Sequence, residues 1–348
     1  MRAAGSTAAA LLLGVAAFAS ATPGGSGATA TESAPATASS PAPPSPAAPA
    51  FDADRPSFTV IAGDLEVEYA TFLVPVLPDS VVPLRVPGPG GSSPGRAGGS
   101  VRVTVDGRPL GASPNGAWSW RAPGDPGVHR IVVRRAGATD SVVLNALVLV
   151  PFDRLRDGRV DGFRIGDYPE RPYRGLERYR HPAGFVELTP ELADLPVSPH
   201  FRLGQFRCHL PTGYPAYLPP PDPLMLEKLE LMLAAVNRQG IAVSTFQVLS
   251  SYRSPWYNHA IGRPEYSRHI YGDAADIYID RDGNGVMDDL NGDGRVDIGD
   301  AEVLYRIAEG LDGAPSTRHL LGGLGEYPVT ESHGPFVHVD TRGYRARW

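Results

Sequence analysis

The stretch SRHIYGDAADIYID, residues 267–280, carries His269 and Asp276, and FVHVD, residues 336–340, adds His338. Two imidazoles and a carboxylate are a donor set for zinc. A hydrolytic zinc needs three nitrogen or oxygen ligands and one open position, where it lowers the pKa of a water to about 7. Residues two apart on a strand share a face, so Phe336, His338 and Asp340 point one way while Val337 and Val339 point the other. The same alternation sets Asp276 and Tyr278 opposite Ala275, Ile277 and Ile279. Taken singly, each histidine reads more readily as a surface residue or a hydrogen-bonded core residue, and the residue types alone leave both readings open.

A second chemistry follows directly. Residues 280–300 hold seven aspartates (280, 282, 288, 289, 293, 297 and 300) against two arginines, so one short stretch carries most of a net charge of −6. DRDGNGVMD and DLNGDGRVD are tandem repeats that align Asp280 with Asp289, Asp282 with Asn291, Asn284 with Asp293, Gly285 with Gly294 and Asp288 with Asp297. Oxygen side chains at alternate positions followed by glycine are the pattern of a calcium loop, which draws on positions 1, 3 and 5, a backbone carbonyl at 7 and later oxygens. The better Ca2+ site is expected at 289–300, from Asp289, Asn291, Asp293, the Arg295 carbonyl, Asp297 and Asp300, with Asp280, Asp282 and Asn284 as a second set sharing its ligands. A bare, solvated acidic loop is disfavoured, because the repulsion would be hard to keep folded.

Several elements must position these groups. Arg2, an apolar run from Ala8 to Ala19 and the small residues Ala19-Ser20-Ala21 read as a signal peptide over 1–21, so the chain is expected to be secreted or periplasmic, in the cell envelope. That run is shorter than the roughly 20 residues a membrane span needs, and no transmembrane segment is expected. Residues 22–56, rich in Ala, Pro, Ser, Thr and Gly, read as an extended tether. Short apolar or alternating runs over 57–151, with a hairpin signal at Asp106-Gly107, predict a small all-β sandwich of immunoglobulin-like type. Trp118 and Trp120 fit its core better than a ligand-stacking face.

Residues 152–197 read as a connecting segment. From 198 to 348 helices are grouped with a short antiparallel sheet, which implies an α+β domain with the acidic insert at 280–300. Its clearest helix spans 221–240, with Asp222 as N-cap, Pro223 in the first turn and Leu226, Leu229, Leu233 and Val236 on one face. The single cysteine, Cys208, excludes an internal disulfide, and the acidic balance argues against nucleic acid as a partner.

Ser267, His269, Gly272, Ala274 and Asp276 match the pattern S-x-H-x-x-G-x-A-x-D, SSYRS at 250–254 matches S-x-Y-R-S, and SPHFRLGQFRC, GGLGEYP and FVHVDTRGYRARW add ordered matches. In these the chain resembles the zinc D-alanyl-D-alanine carboxypeptidase and murein endopeptidase family, whose fold is shared with the amino-terminal domain of hedgehog proteins. The resemblance covers about 198–348. It implies that His269, Asp276 and His338 bind Zn2+, with Gly272 and Ala274 letting the chain fold tightly between them, and that Arg253 clamps a substrate carboxylate or the developing oxyanion. It also implies peptidoglycan stem peptides as substrate. The family's general base usually stands two or three residues before the last ligand, where this chain has Phe336 and Pro335. His333, Glu331 and Asp340 are the replacements considered. His333 is preferred, because a loop can bend back to the site and imidazole titrates in the required range, while Asp340 could instead orient His338. The expectation is an exported zinc metallopeptidase. The alternative is a zinc-stabilised cell-wall or protein binding module without turnover.

Overall fold

Asp106 and Gly107 both take positive φ, 50° and 78°, as a two-residue hairpin turn requires, and they join strand Val101–Val105 to Arg108–Leu110. The computed structural model describes residues 55–88, 101–112, 117–210 and 213–348. The leader expected at 1–21 and the tether expected at 22–56, apart from Arg55 and Pro56, lie outside them.

The hairpin belongs to a five-stranded sheet in the order Thr71–Val76, Ser141–Val148, Gly127–Arg135, Val101–Val105, Arg108–Leu110, whose first pair is parallel. A four-stranded antiparallel sheet runs Leu65–Val67, Val60–Ala62, Val81–Arg85, Trp118–Arg121. Val60, Leu84 and Trp118 of one sheet and Leu73, Ile131 and Leu144 of the other belong to the same buried cluster. Trp118 and Trp120 are each 7% exposed, which makes them core residues and leaves no stacking face.

Helix Pro223–Arg238 starts where expected. The Asp222 carboxylate accepts from the amides of Leu224 and Met225 (2.9 and 3.3 Å), and Leu226, Leu229, Leu233 and Val236 are fully buried. A second helix, Ile298–Gly313, packs beside it and against one face of a five-stranded sheet. That sheet has the order Gln247–Ser250, Ala274–Tyr278, Phe336–Asp340, Gly323–Tyr327, Ala346–Arg347, antiparallel except for its last pair. Helices and strands are segregated, so the fold is α+β.

The run IAVSTFQVLSSYRS, residues 241–254, reads as a strand from its sequence and forms one only over Gln247–Ser250. The Asn237 amide bonds both backbone groups of Val243, and the register shifts between Val248 and Ser250. Beyond Ser250 the backbone turns away from the sheet, with Tyr252 N donating to Phe206 O and Arg253 N to His269 O.

Residues 152–197 are more than a connector. Strand Gly184–Leu188 pairs with Val150–Pro151 on one side and Ala216–Leu218 on the other. Leu73 N donates to Val197 O (2.9 Å) and Asn145 Nδ2 to Pro196 O (2.7 Å), so the boundaries expected at 151 and 198 are bridged by hydrogen bonds and by one continuous core. Among the described residues no helix is long and apolar enough to cross a membrane.

Candidate metal centre

Antiparallel pairing sets Asp276 directly opposite His338, and His338 opposite Gly325, in one row across the sheet. Val337, Val339, Ala275 and Ile277, the residues of opposite parity, are fully buried in the core. The alternation read from the sequence therefore holds, and both side chains leave the sheet on the same face. His269 arrives from a short 3-10 turn, Arg268–Tyr271, that ends in Gly272 at φ 81°. A Cβ there would meet Pro220 O at 3.1 Å, so the tight return to Asp276 needs glycine.

Three ligand atoms meet. His269 Nε2 lies 3.1 Å from His338 Nδ1 and 3.3 Å from Asp276 Oδ1, and His338 Nδ1 lies 2.8 Å from Asp276 Oδ1. Zinc bonds of about 2.0–2.1 Å place tetrahedral ligand atoms about 3.3 Å apart, so this triangle has nearly the size of one face of a zinc tetrahedron. The outer hydrogen bonds fix the tautomers. The Ser251 carbonyl can only accept, so His269 Nδ1 donates to it (2.6 Å) and Nε2 keeps its lone pair. The Asp340 carboxylate accepts from His338 Nε2 (3.0 Å), which leaves Nδ1 as the lone-pair atom. Arg253 donates from Nη2 to Asp276 Oδ2 (2.8 Å) and from Nε to Ser250 Oγ (2.9 Å), turning Oδ1 towards the histidines.

Two lone pairs and an anionic oxygen converging in a buried spot repel unless a cation sits between them. Burial pushes the His269 pKa down. For His338 burial acts the same way, but the negative charges of Asp276 and Asp340 beside it outweigh burial and raise the pKa. Asp276 is held well below its usual value by the two histidines, against the effect of burial. The donor set fits a divalent ion with nitrogen and oxygen preference. Zinc is among the metals with that preference.

The trio forms the floor of a cavity of about 580 Å³. His333 lines it; its Nδ1 donates to Gly334 O (2.8 Å), which leaves Nε2 as an acceptor. Glu331 is exposed and takes no part in the lining. Asp340 is fully buried and engaged by His338, the Gly323 amide (2.7 Å) and Arg342, so it orients a ligand and has no free edge for a substrate proton. Arg253, expected as a substrate clamp, lines the cavity but is ion-paired with Asp276.

Sequence reasoning missed the aromatic lining and the backing of the His269 turn. Trp348 lies over Gly325, where a Cβ would come within 2.4 Å of the indole nitrogen, and its ring is 5.1 Å from His338. Its Nε1 donates to Tyr327 Oη (2.6 Å). Arg268 is stacked between Tyr179 and Tyr271 (4.1 and 4.5 Å), bonded to Asp273, and donates to Arg178 O (2.7 Å). Its sequence signal was the Arg/Tyr-rich stretch before 198.

In the insert, the Asp280, Asp282 and Asp288 carboxylates lie within 4.8 Å of one another. The copy from Asp289 has matching backbone bonds, Gly292 N and Gly294 N to Asp289, but Asp300 accepts from Leu290 N, Asn291 N and Asp297 N and is buried as part of a helix capping box. Among the described residues three carboxylates of the first repeat thus lie close together, while Asp300 of the second is taken up by the helix cap.

Comparison with known protein families, curated proteins and solved structures gives no match for this chain.

Zinc-loaded protein is expected to carry one zinc per chain at this trio, and His269→Ala or His338→Ala to lose most of it. Asp340→Ala, which loosens His338, should weaken zinc about 10- to 100-fold. Metal analysis after dialysis checks this; full occupancy in both histidine variants would contradict the assignment.

Proposed function

We propose that this chain is an exported zinc peptidase of the cell envelope, an immunoglobulin-like sandwich followed by a domain of the D-alanyl-D-alanine carboxypeptidase and murein endopeptidase type, acting on peptide bonds of peptidoglycan stem peptides. The observation that carries the reading is the convergence of His269 Nε2, Asp276 Oδ1 and His338 Nδ1 at the floor of an open cavity, each ligand fixed from behind. The sequence matches at 250–254 and 267–276 point to the same chemistry.

Zinc held by the three ligands would supply Lewis acidity and an activated water. The chain does the rest. Ser251 O, Asp340 and Arg253 keep the donor atoms aimed at one point, so little reorganisation accompanies binding or reaction. His333 offers Nε2 to a proton from the cavity, taking the part that Pro335 and Phe336 cannot. Tyr327, Phe336 and Trp348 give the lining an apolar portion beside His338.

Calcium in the insert belongs to the same proposal. Strand Ala274–Tyr278, which carries Asp276, runs straight into Asp280, and Val286 Cγ1 lies 2.7 Å from where a Gly334 Cβ would stand. An ion at Asp280, Asp282 and Asp288 would steady both the ligand strand and the loop bearing His333. A second reading, a binding module without turnover, is favoured by Pro335 and Phe336 at the family's usual base positions.

Zinc-loaded protein is expected to release amino acids or peptides from murein, detected by mass spectrometry, with His333→Ala lowering turnover by about 100- to 10,000-fold and Glu331→Gln leaving it near the parent value. Murein that sediments with the protein and releases nothing would select the binding module. Calcium should raise the melting temperature of the parent by mass action. Asp280→Ala with Asp282→Ala should abolish that rise, while Asp293→Ala with Asp297→Ala keeps it; a parent that ignores calcium has a bare acidic loop.

A further inference from the structure

We infer that a second cavity, where the β-sandwich meets helix Pro223–Arg238, binds a primary ammonium carried on a short apolar stem, as in a free alkyl amine or a lysine-type side chain. It shares no lining residue with the metal cavity and does not depend on the peptidase reading.

The cavity holds about 400 Å³. Asp64, Glu66 and Glu68 line it from the first hairpin of the sandwich and the residues just after, and Glu227 lines it from the helix. Against these four carboxylates stands one permanent cation, Arg55, which pairs with Glu68 (2.8 Å). His319 Nε2 reaches Glu227 (3.0 Å) from the 3-10 turn Pro315–Leu320. Asp64 and Glu66 are exposed and have no ion-pair partner among the described residues. Acidic side chains alone are often no more than solvated, and Tyr69 is what sets this place apart. Its ring lines the cavity, stacked on Phe72 with centroids 5.5 Å apart, and the residue is only 8% exposed. Its buried hydroxyl has no hydrogen-bond partner among the described residues. Such a group is costly to leave unmatched, and few are tolerated in a folded chain.

Charge selects the ligand. Burial raises the Tyr69 pKa, Arg55 opposes the rise, and Glu227, Glu230 and Glu68 add to it, so the phenol stays neutral within the field of those carboxylates. An anion accepting from the phenol would meet that same field and be repelled. An ammonium instead donates to the phenol's lone pair and to a carboxylate at once. A single metal ion is a poorer fit, because the carboxylates that lie close enough to share one ion, among the described residues, belong to the metal centre and to residues 280–288. Leu65, Phe72 and Leu224 supply the apolar wall along which a methylene stem can lie. Arg55 shows that the ring accepts a cation: its Cζ stands 5.4 Å from the Tyr69 centroid.

The test titrates the full chain in a calorimeter with pentylamine, with Nα-acetyl-lysine methylamide, and with the same lysine derivative acetylated on its side-chain amine. The first two present the ammonium as a free amine and as a lysine-type side chain, and the tighter of them identifies the source. The acetylated control should bind about 10-fold more weakly or worse. Tyr69→Phe keeps the ring and removes only the hydroxyl, so it should weaken the amine about 10-fold while the unliganded protein melts no lower than the parent. Asp64→Asn with Glu66→Gln, at exposed positions, should weaken binding by a similar factor and flatten its dependence on salt. Failure of both amines to bind, equal affinity for the acetylated control, or full affinity in Tyr69→Phe would each overturn the inference. So would a lower melting temperature of unliganded Tyr69→Phe, since the hydroxyl would then already have a partner.

Discussion

The site depends on the antiparallel register that sets Asp276 opposite His338. Because side chains alternate along a strand, sliding either strand by one residue would send its own ligand into the core and bring Ile277 or Val337 to the cavity. The core enforces the register: Ala275, Ile277, Val337 and Val339 are fully buried in one core with helices Pro223–Arg238 and Ile298–Gly313, the latter packed on strand Phe336–Asp340. Packing on one face thereby fixes chemistry on the other.

A buried polar layer then fixes the direction of each ligand. Asp340 receives His338, and its own backbone carbonyl accepts from Lys228 Nζ (3.1 Å), a fully buried lysine that also donates to Asp312 (2.8 Å) and Leu320 O (3.3 Å). Burial pushes the Lys228 pKa down while Asp312 opposes it. Arg347 joins Asp312 to Glu309, so the last strand, Ala346–Arg347, is tied to the helix behind the site. A charge so placed is costly to orphan, which makes the arrangement rigid whatever its net contribution to stability.

Legibility in the sequence followed the range of the interactions. The Asp106-Gly107 hairpin, the Asp222 cap and the alternation around His338 are local, and each appears where its residues predict. The grouping of His269, Asp276 and His338 came from the family resemblance at 267–276 and 336–348, since the alternation around His338 alone left a core histidine equally open. Arg268 against Arg178 O and Lys228 against Asp340 O join residues 90 and 112 apart, which no local period encodes. The engagement of Arg253 with Asp276 was hidden for the same reason. In the insert, Asp300 read as a terminal calcium ligand because its spacing fits, yet the helix that starts at Ile298 uses that carboxylate for capping.

X-ray absorption spectroscopy of the zinc-loaded protein would read the ligand set itself. Two imidazoles and one carboxylate, with no sulfur, give a four-coordinate first shell of nitrogen and oxygen at about 2.0–2.1 Å and outer-shell scattering from two imidazoles. A sulfur at about 2.3 Å, which only Cys208 or a methionine could provide, or a shell without imidazole scattering, would contradict it.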